Sequence, residues 1–182
     1  MNALDEEKWM YEKFWCLLND KQLMRVFEKF GPAAFRRSSV LEGFENFIKA
    51  HKFAGETVCE IGTLKGLTAV VLARYFKRVV TVDILDDEQK YEIARMLGIN
   101  NIKFINVDDD YEKAAVLATY GFDAAYIDGD HTHDTESDFA LVRRCGQVLM
   151  HENWSAQPSV LRLVGGLSNI VAGGKFALWR DK

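Results

Sequence analysis

From Gly55 onward, short apolar runs alternate with amphipathic stretches, and this alternation limits the possible folds more than any other feature of the chain. Thr57 to Ile61, Val79 to Ile84, Ile102 to Val107, Phe122 to Ile127 and Gln147 to Met150 read as strands. Helical stripes fall between them. Ala69, Leu72, Ala73 and Phe76 mark the first, and Asp87 to Leu97 the second, stopped by Gly98. Two more lie around Tyr111 to Thr119 and around Asp134 to Arg144. Strands alternating with helices make βαβ units, hence a parallel sheet covered on both faces. The tail adds a helix near Val160 and two strands, Asn169 to Ala172 and Lys175 to Trp179, joined at Gly173-Gly174. A hairpin at that turn makes the last strand antiparallel. The expected fold is α/β: a doubly wound, mostly parallel seven-stranded sheet with an antiparallel last strand.

Residues 1–54 have a different texture. Tyr11, Phe14, Trp15 and Leu18 repeat at helical spacing, as do Leu23, Val26, Phe27 and Phe30, before Gly31-Pro32 breaks the run. A third helix is expected to start at Ser39, with Glu42 completing a capping box and Leu41, Phe44 and Ile48 forming its buried face. The chain thus divides into an N-terminal helical cap, 1–54, and a core, 55–182. The cap is read as packing on the core, and it can also serve as a lid or as the surface of a homo-oligomer.

The length of 182 residues fits one domain with a helical extension and can bury a core without disulfides. Asp and Glu number 27 against 23 Lys and Arg, so nothing attracts phosphate polyanions globally and nucleic acid is not the expected partner. Cys16, Cys59 and Cys145 are distant from one another and form no C-x-x-C pair, which fits a reducing cytoplasm. The N-terminal MNALDEEKWM lacks an apolar signal core, and no apolar run is long enough for a bilayer, so no membrane partner is expected.

Ligands of open parallel sheets bind beyond the carboxyl ends of the strands, near the switch in strand order. Here every such end carries an acid: Glu60 after strand one, Asp83 at the end of strand two, Asp108 after strand three, Asp128 and Asp130 after strand four, and Glu152 after strand five. A dinucleotide needs glycines and a bare helix N-terminus for its diphosphate, usually as G-x-G-x-x-G. The loop here is Glu60-x-Gly62-x-x-x-Gly66. Like charges at ~4 Å repel by about 1 kcal/mol even in water. An acid-lined pocket favours a ligand with an ammonium, a sulfonium and ribose hydroxyls, which describes S-adenosylmethionine. Asp83 follows Gly62 by 21 residues, the spacing at which an acid binds ribose in both ligand classes. The loop therefore makes the choice between them.

VCEIGTLKGLTAVVLARYFKRVVTVDI, followed by FDAAYIDGDHTHD, resembles class I S-adenosylmethionine-dependent methyltransferases, with their Rossmann-like sheet. Within them it is similar to the small-molecule and sugar O-methyltransferases that carry an I-D-G-D-H segment after strand four. The resemblance covers roughly residues 55 to 180. It implies that Glu60, Gly62 and Thr63 hold the amino-acid part of S-adenosylmethionine, with Gly66 allowing close backbone approach. It also implies that Asp83 accepts the ribose hydroxyls, that Asp108 lies in the adenine loop and that Asp128 lies beside the methyl group.

Some proteins of this type bind Mg²⁺ through an aspartate after strand four and an acid pair or acid-amide pair after strand five. Asp128, Glu152 and Asn153 match that pattern as oxygen ligands, and the cation would acidify and orient a substrate hydroxyl. The same resemblance points to His131 as the base or as a residue that orients a metal ligand, with Asp128 as its catalytic neighbour. His133 stands where such proteins often carry an aromatic residue. Asp138 falls one residue short of the usual position of the following acid. His151 is assigned no role. No Asn/Asp-Pro-Pro-aromatic loop and no Pro-Cys pair is present, which disfavours amine and cytosine C5 acceptors. The leading expectation is methyl transfer to a hydroxyl of a small molecule or sugar. The alternative is a non-catalytic cofactor-sensing or assembly subunit with the same fold, and an NAD-dependent oxidoreductase is disfavoured.

Overall fold

The computed structural model describes residues 20–35, 41–129, 135–151 and 158–181. Strands β1 (Gly55–Ile61) and β2 (Phe76–Asp83) each contain a run of consecutive buried residues, Thr57 to Ile61 and Val79 to Val82. Burial of both odd and even positions means that both faces of a strand are covered, which requires a parallel interior strand. β3 (Ile102–Asn106), β4 (Ala124–Ile127), β5 (Gln147–His151), β6 (Ile170–Gly173) and β7 (Phe176–Arg180) complete the sheet. Its order is β3-β2-β1-β4-β5-β7-β6. The first five pair in parallel, β7 runs antiparallel to β5, and the β6–β7 hairpin closes the edge. This is the expected Rossmann-like doubly wound sheet.

Helices cover the two faces separately. On one face lie α1 (Lys21–Phe30), α2 (Leu41–His51), α3 (Leu67–Leu72) and α4 (Gln89–Leu97). Leu23, Val26, Phe44, Ile48, Val70 and Ile93 meet Val58, Val79, Tyr126 and Leu149 there in one apolar cluster. The other face is covered by α5 (Asp110–Thr119), α6 (Thr135–Val142) and α7 (Pro158–Gly166), whose Leu117, Phe139 and Val164 pack with Cys59, Val82, Ile127 and Met150. Neighbouring strand residues such as Val58 and Cys59 serve opposite clusters, as the two-residue period of a strand dictates. Residues from α1 and α2 share the first cluster with strand residues of the core, so these two helices pack directly on the sheet.

Most boundaries differ from the expected ones by a residue or two, and three differences have a visible cause or consequence. Phe76 opens β2 instead of closing the preceding helix, because its ring packs edge-on against Phe53 at 5.4 Å and its backbone pairs with Gly55. Helix α3 is correspondingly only six residues long, and all six are buried, which hides the amphipathic stripe. Phe122 and Asp123 precede β4, and the Asp123 Oδ2 accepts N–H bonds from Glu56 and Thr57 at 2.9 and 2.7 Å, tying off the strand start. Ile84 lies beyond β2 and is 60% exposed. Ser39, the expected cap of α2, lies outside the described residues.

Candidate functional site

The chain turns outward from β1 through β2 to β3, then returns to place β4 on the other side of β1. The switch point is the gap between the carboxyl ends of β1 and β4, where a ligand is expected. Gly62 lies in this gap with φ +89°. A Cβ there would lie 2.4 Å from the Asp128 carbonyl oxygen and 2.7 Å from the Gly129 nitrogen. Only glycine satisfies both the dihedral and the close approach. Its N–H donates to the Val82 carbonyl at 2.9 Å, and the Asp128 N–H donates to the Ile61 carbonyl at 2.8 Å. The ends of β1, β2 and β4 are thereby locked together.

Glu60 is the penultimate residue of β1, one position before Ile61. Its side chain is fully buried, and Oε1 accepts the Thr68 hydroxyl at 2.5 Å. Oε2 has no hydrogen-bond partner among the described residues. Burial pushes the carboxyl well above its ordinary range; bonds from Thr68 and Thr81 act against this, and the Asp128 and Asp83 charges add to it. A group shifted in that direction favours its neutral form. Thr63 is also buried, and its hydroxyl pairs with that of Thr81. Three threonines, at 63, 68 and 81, thus surround the buried acid, a polar set that strand and helix periodicity does not single out.

Asp83, at the end of β2, turns its carboxylate toward the loop after β1. Oδ2 accepts the Thr63 and Leu64 N–H groups at 2.6 and 2.7 Å, and Oδ1 accepts that of Leu85 at 2.8 Å. Gly66, with φ +72°, faces the protein interior, where its Cβ position is 3.2 Å from Lys90 Cβ and 3.3 Å from the Phe104 ring. Asp108 is exposed at the start of α5, and its N–H donates to Glu112 while Asp109 caps the Glu112 N–H.

Asp128 has a partner the sequence did not reveal. His151 ends β5, and its Nδ1 lies 2.8 Å from Asp128 Oδ1 across the β4–β5 pair. The His151 ring also packs on Phe176 at 5.8 Å, which joins this pair to the aromatic cluster of Phe44 and Phe47 on α2. The signal was available: two strands paired in parallel bring the residues just after β4 beside the last residue of β5. Asp138 is buried on α6, and its Oδ1 lies 2.6 Å from Lys113 Nζ of α5, beneath Gly129. Asp130, His131, His133, Glu152 and Asn153 lie outside the described residues, and among the described residues no three His, Cys, Asp or Glu side chains form a metal-binding group.

No protein-family model matches the chain, and no curated protein does. Solved structures do. A candidate O-methyltransferase from Klebsiella pneumoniae superposes with TM-score 0.68 at 15% identity, over 97% of this chain and 99% of its own. TomG, the Streptomyces achromogenes O-methyltransferase of tomaymycin synthesis solved with S-adenosylmethionine, gives 0.63 at 17% identity, over 87% and 88%. A Bacillus cereus O-methyltransferase solved with S-adenosylhomocysteine gives 0.58 at 15% identity, over 75% and 78%. The chain shares the fold of these three structures. At these identities the likeness is one of fold, and activity has to be argued from the site.

Proposed function

We propose that this protein is an S-adenosylmethionine-dependent methyltransferase acting on a hydroxyl of a small molecule or sugar. The observation that carries this reading is the crossing of the Gly62 loop over the end of β4, with the Asp83 and Asp128 carboxylates on either side of the switch point. The Gly62–Thr63 segment would receive the amino-acid part of the ligand, Asp83 its ribose, and the Asp108 loop its adenine. Bound there, S-adenosylmethionine supplies a sulfonium methyl group. The chain's own part is to align the acceptor oxygen with that methyl carbon and to take the hydroxyl proton as the carbon–sulfur bond breaks. His131 is the proposed base, and Asp128, held by His151, orients the acceptor. Alignment of this kind can be worth on the order of 7–11 kcal/mol.

Mg²⁺ enters the proposal through Asp128, Glu152 and Asn153, as an oxygen-liganded cation that lowers the acceptor pKa. The cap ahead of residue 55 is proposed to close over the acceptor or to mediate self-association. Location in the cytoplasm remains part of the proposal; no helix of the described residues is long and apolar enough to cross a membrane.

Calorimetry with S-adenosylmethionine and with NAD is the first test: binding of the former alone is expected, and tight binding of NAD alone overturns the reading. A labelled-methyl screen over sugars, catechols and polyketide alcohols then identifies the acceptor. His131→Ala is expected to keep cofactor affinity and lose turnover, and chelation is expected to abolish turnover if the cation is used. Cofactor binding without transfer to any acceptor, in a stable hetero-complex, would instead assign a cofactor-sensing subunit.

A further inference from the structure

Leu64 has φ +45°, a left-handed conformation that side chains with a Cβ adopt only when their surroundings impose it. The next residues, Lys65 and Gly66, complete the turn into α3, and the Gly66 N–H closes it by donating to the Thr63 carbonyl at 2.7 Å. Leu64 is held from the end of β2. Its N–H and that of Thr63 converge on one oxygen of Asp83, at 2.7 and 2.6 Å, while the other oxygen takes the Leu85 N–H at 2.8 Å. Three backbone donors from two different loops thus end on a single carboxylate.

We propose that Asp83 is a positioning residue that builds the cofactor loop before any ligand arrives, by clamping Thr63 and Leu64 to the end of β2. This rests on the proposed methyltransferase reading only for the identity of the ligand, because the clamp is a property of the ligand-free chain. A ribose diol bound by Asp83 then shares a carboxylate already fixed by amides, and affinity depends on the loop as well as on direct contact. An acid whose sole task is to accept two hydroxyls could be replaced by asparagine with modest loss, since hydroxyls also accept. A clamp cannot be so replaced. With N–H groups facing both oxygens, any orientation of a carboxamide sets its NH₂ against at least one backbone donor.

The test is amide hydrogen exchange, read residue by residue in the ligand-free protein, combined with S-adenosylmethionine titration of the wild type, Asp83→Asn, Leu64→Gly and the double variant. In Asp83→Asn, exchange at Thr63, Leu64 or Leu85 is expected to accelerate about tenfold or more while amides of β1 and β4 keep their protection. Affinity is expected to fall by about the same factor, equivalent to 1.4 kcal/mol. Glycine at position 64 adopts the left-handed turn without the clamp, so adding Leu64→Gly is expected to restore several-fold of the lost affinity. Unchanged exchange at all three amides in Asp83→Asn overturns the clamp whether or not the protein binds S-adenosylmethionine. An affinity loss that Leu64→Gly does nothing to relieve reduces Asp83 to a direct ligand contact and also overturns it. If the wild type does not bind S-adenosylmethionine, the functional reading fails and the exchange data still decide the clamp.

Discussion

Gly62 and Glu60 show how much a single position decides. Gly62→Ala forces a Cβ to within 2.4 Å of a backbone oxygen at a φ of +89°. Strain and overpacking together are expected to cost about 2–4 kcal/mol, read as a lower urea midpoint, with loss of cofactor binding. Glu60 makes a different prediction. Burial first, and the nearby Asp128 and Asp83 charges in addition, raise its folded pKa well above the ordinary 4.5. The native state therefore holds a proton that the unfolded chain has released, and stability falls as pH rises from about 4.5 toward the folded value. The slope can reach about 1.4 kcal/mol per pH unit while one proton separates the states. Glu60→Gln removes that loss, so its urea stability relative to wild type is expected to improve with rising pH. A constant difference across the range would show that Glu60 is ionised in the folded protein. Both residues stood out in the sequence, as the E-x-G pattern. Its spacing indicated where the chain turns; the inward direction of the acid depends on Thr68 arriving from α3 and Thr81 from β2.

At the scale of elements, Arg74 holds the N-terminal helices to the core. Its guanidinium contacts both oxygens of Asp20, the N-cap of α1, at 2.6 and 3.0 Å, and Glu45 of α2 at 3.2 Å. Burial alone would raise the Asp20 carboxyl, but bonds and charge from Arg74, with the Leu23 and Gln22 amides, bring it below its ordinary 3.8. A depressed acid contributes stability above its unfolded pKa and loses it as pH falls toward the folded one. Arg74→Met is expected to cost about 1–3 kcal/mol near neutrality, because two partly buried acids lose their partner. The difference from wild type should shrink as pH drops below about 4.5 for Glu45 and 3.8 for Asp20, where the unfolded chain takes up protons before the folded one does. Denaturant titrations at several pH values check this. The Lys29–Glu92 pair between α1 and α4 is 46% and 39% exposed, and its removal is expected to cost less than about 1 kcal/mol. The repeat Leu23, Val26, Phe27, Phe30 gave the helix itself, since periodicity is local. The partner that fixes its angle, Arg74, lies 54 residues from Asp20 and carries no local mark.

Over the whole molecule, one apolar cluster runs from Leu23 and Phe44 of the N-terminal helices to Val58, Tyr126 and Leu178 of the sheet. Shared burial couples the stability of its parts. Thermal unfolding is therefore expected to be a single transition, with far-ultraviolet circular dichroism and tryptophan fluorescence changing together. Two separated transitions would show that residues 1–54 and 55–182 are independent units. The same packing places the amino end of α2 near the carboxyl edge of β5, where Phe44 meets Phe176 at 5.5 Å and Phe176 meets His151. Helix α2 thereby reaches the Asp128–His151 pair through Phe176.

The strand and helix pattern by itself determined the sheet: its alternation, its mainly parallel pairing, its closing hairpin and the acids at its strand ends. These are local or near-local properties, set by residue periodicity and by the short reach of each crossover. Which way those acids point was decided only by tertiary structure. Glu60 is buried with its threonines, Asp83 turned to the loop amides, and Asp128 found His151. Each orientation depends on donors brought from elsewhere in the chain, and a carboxylate's direction follows the nearest unsatisfied donor rather than its own place in the sequence.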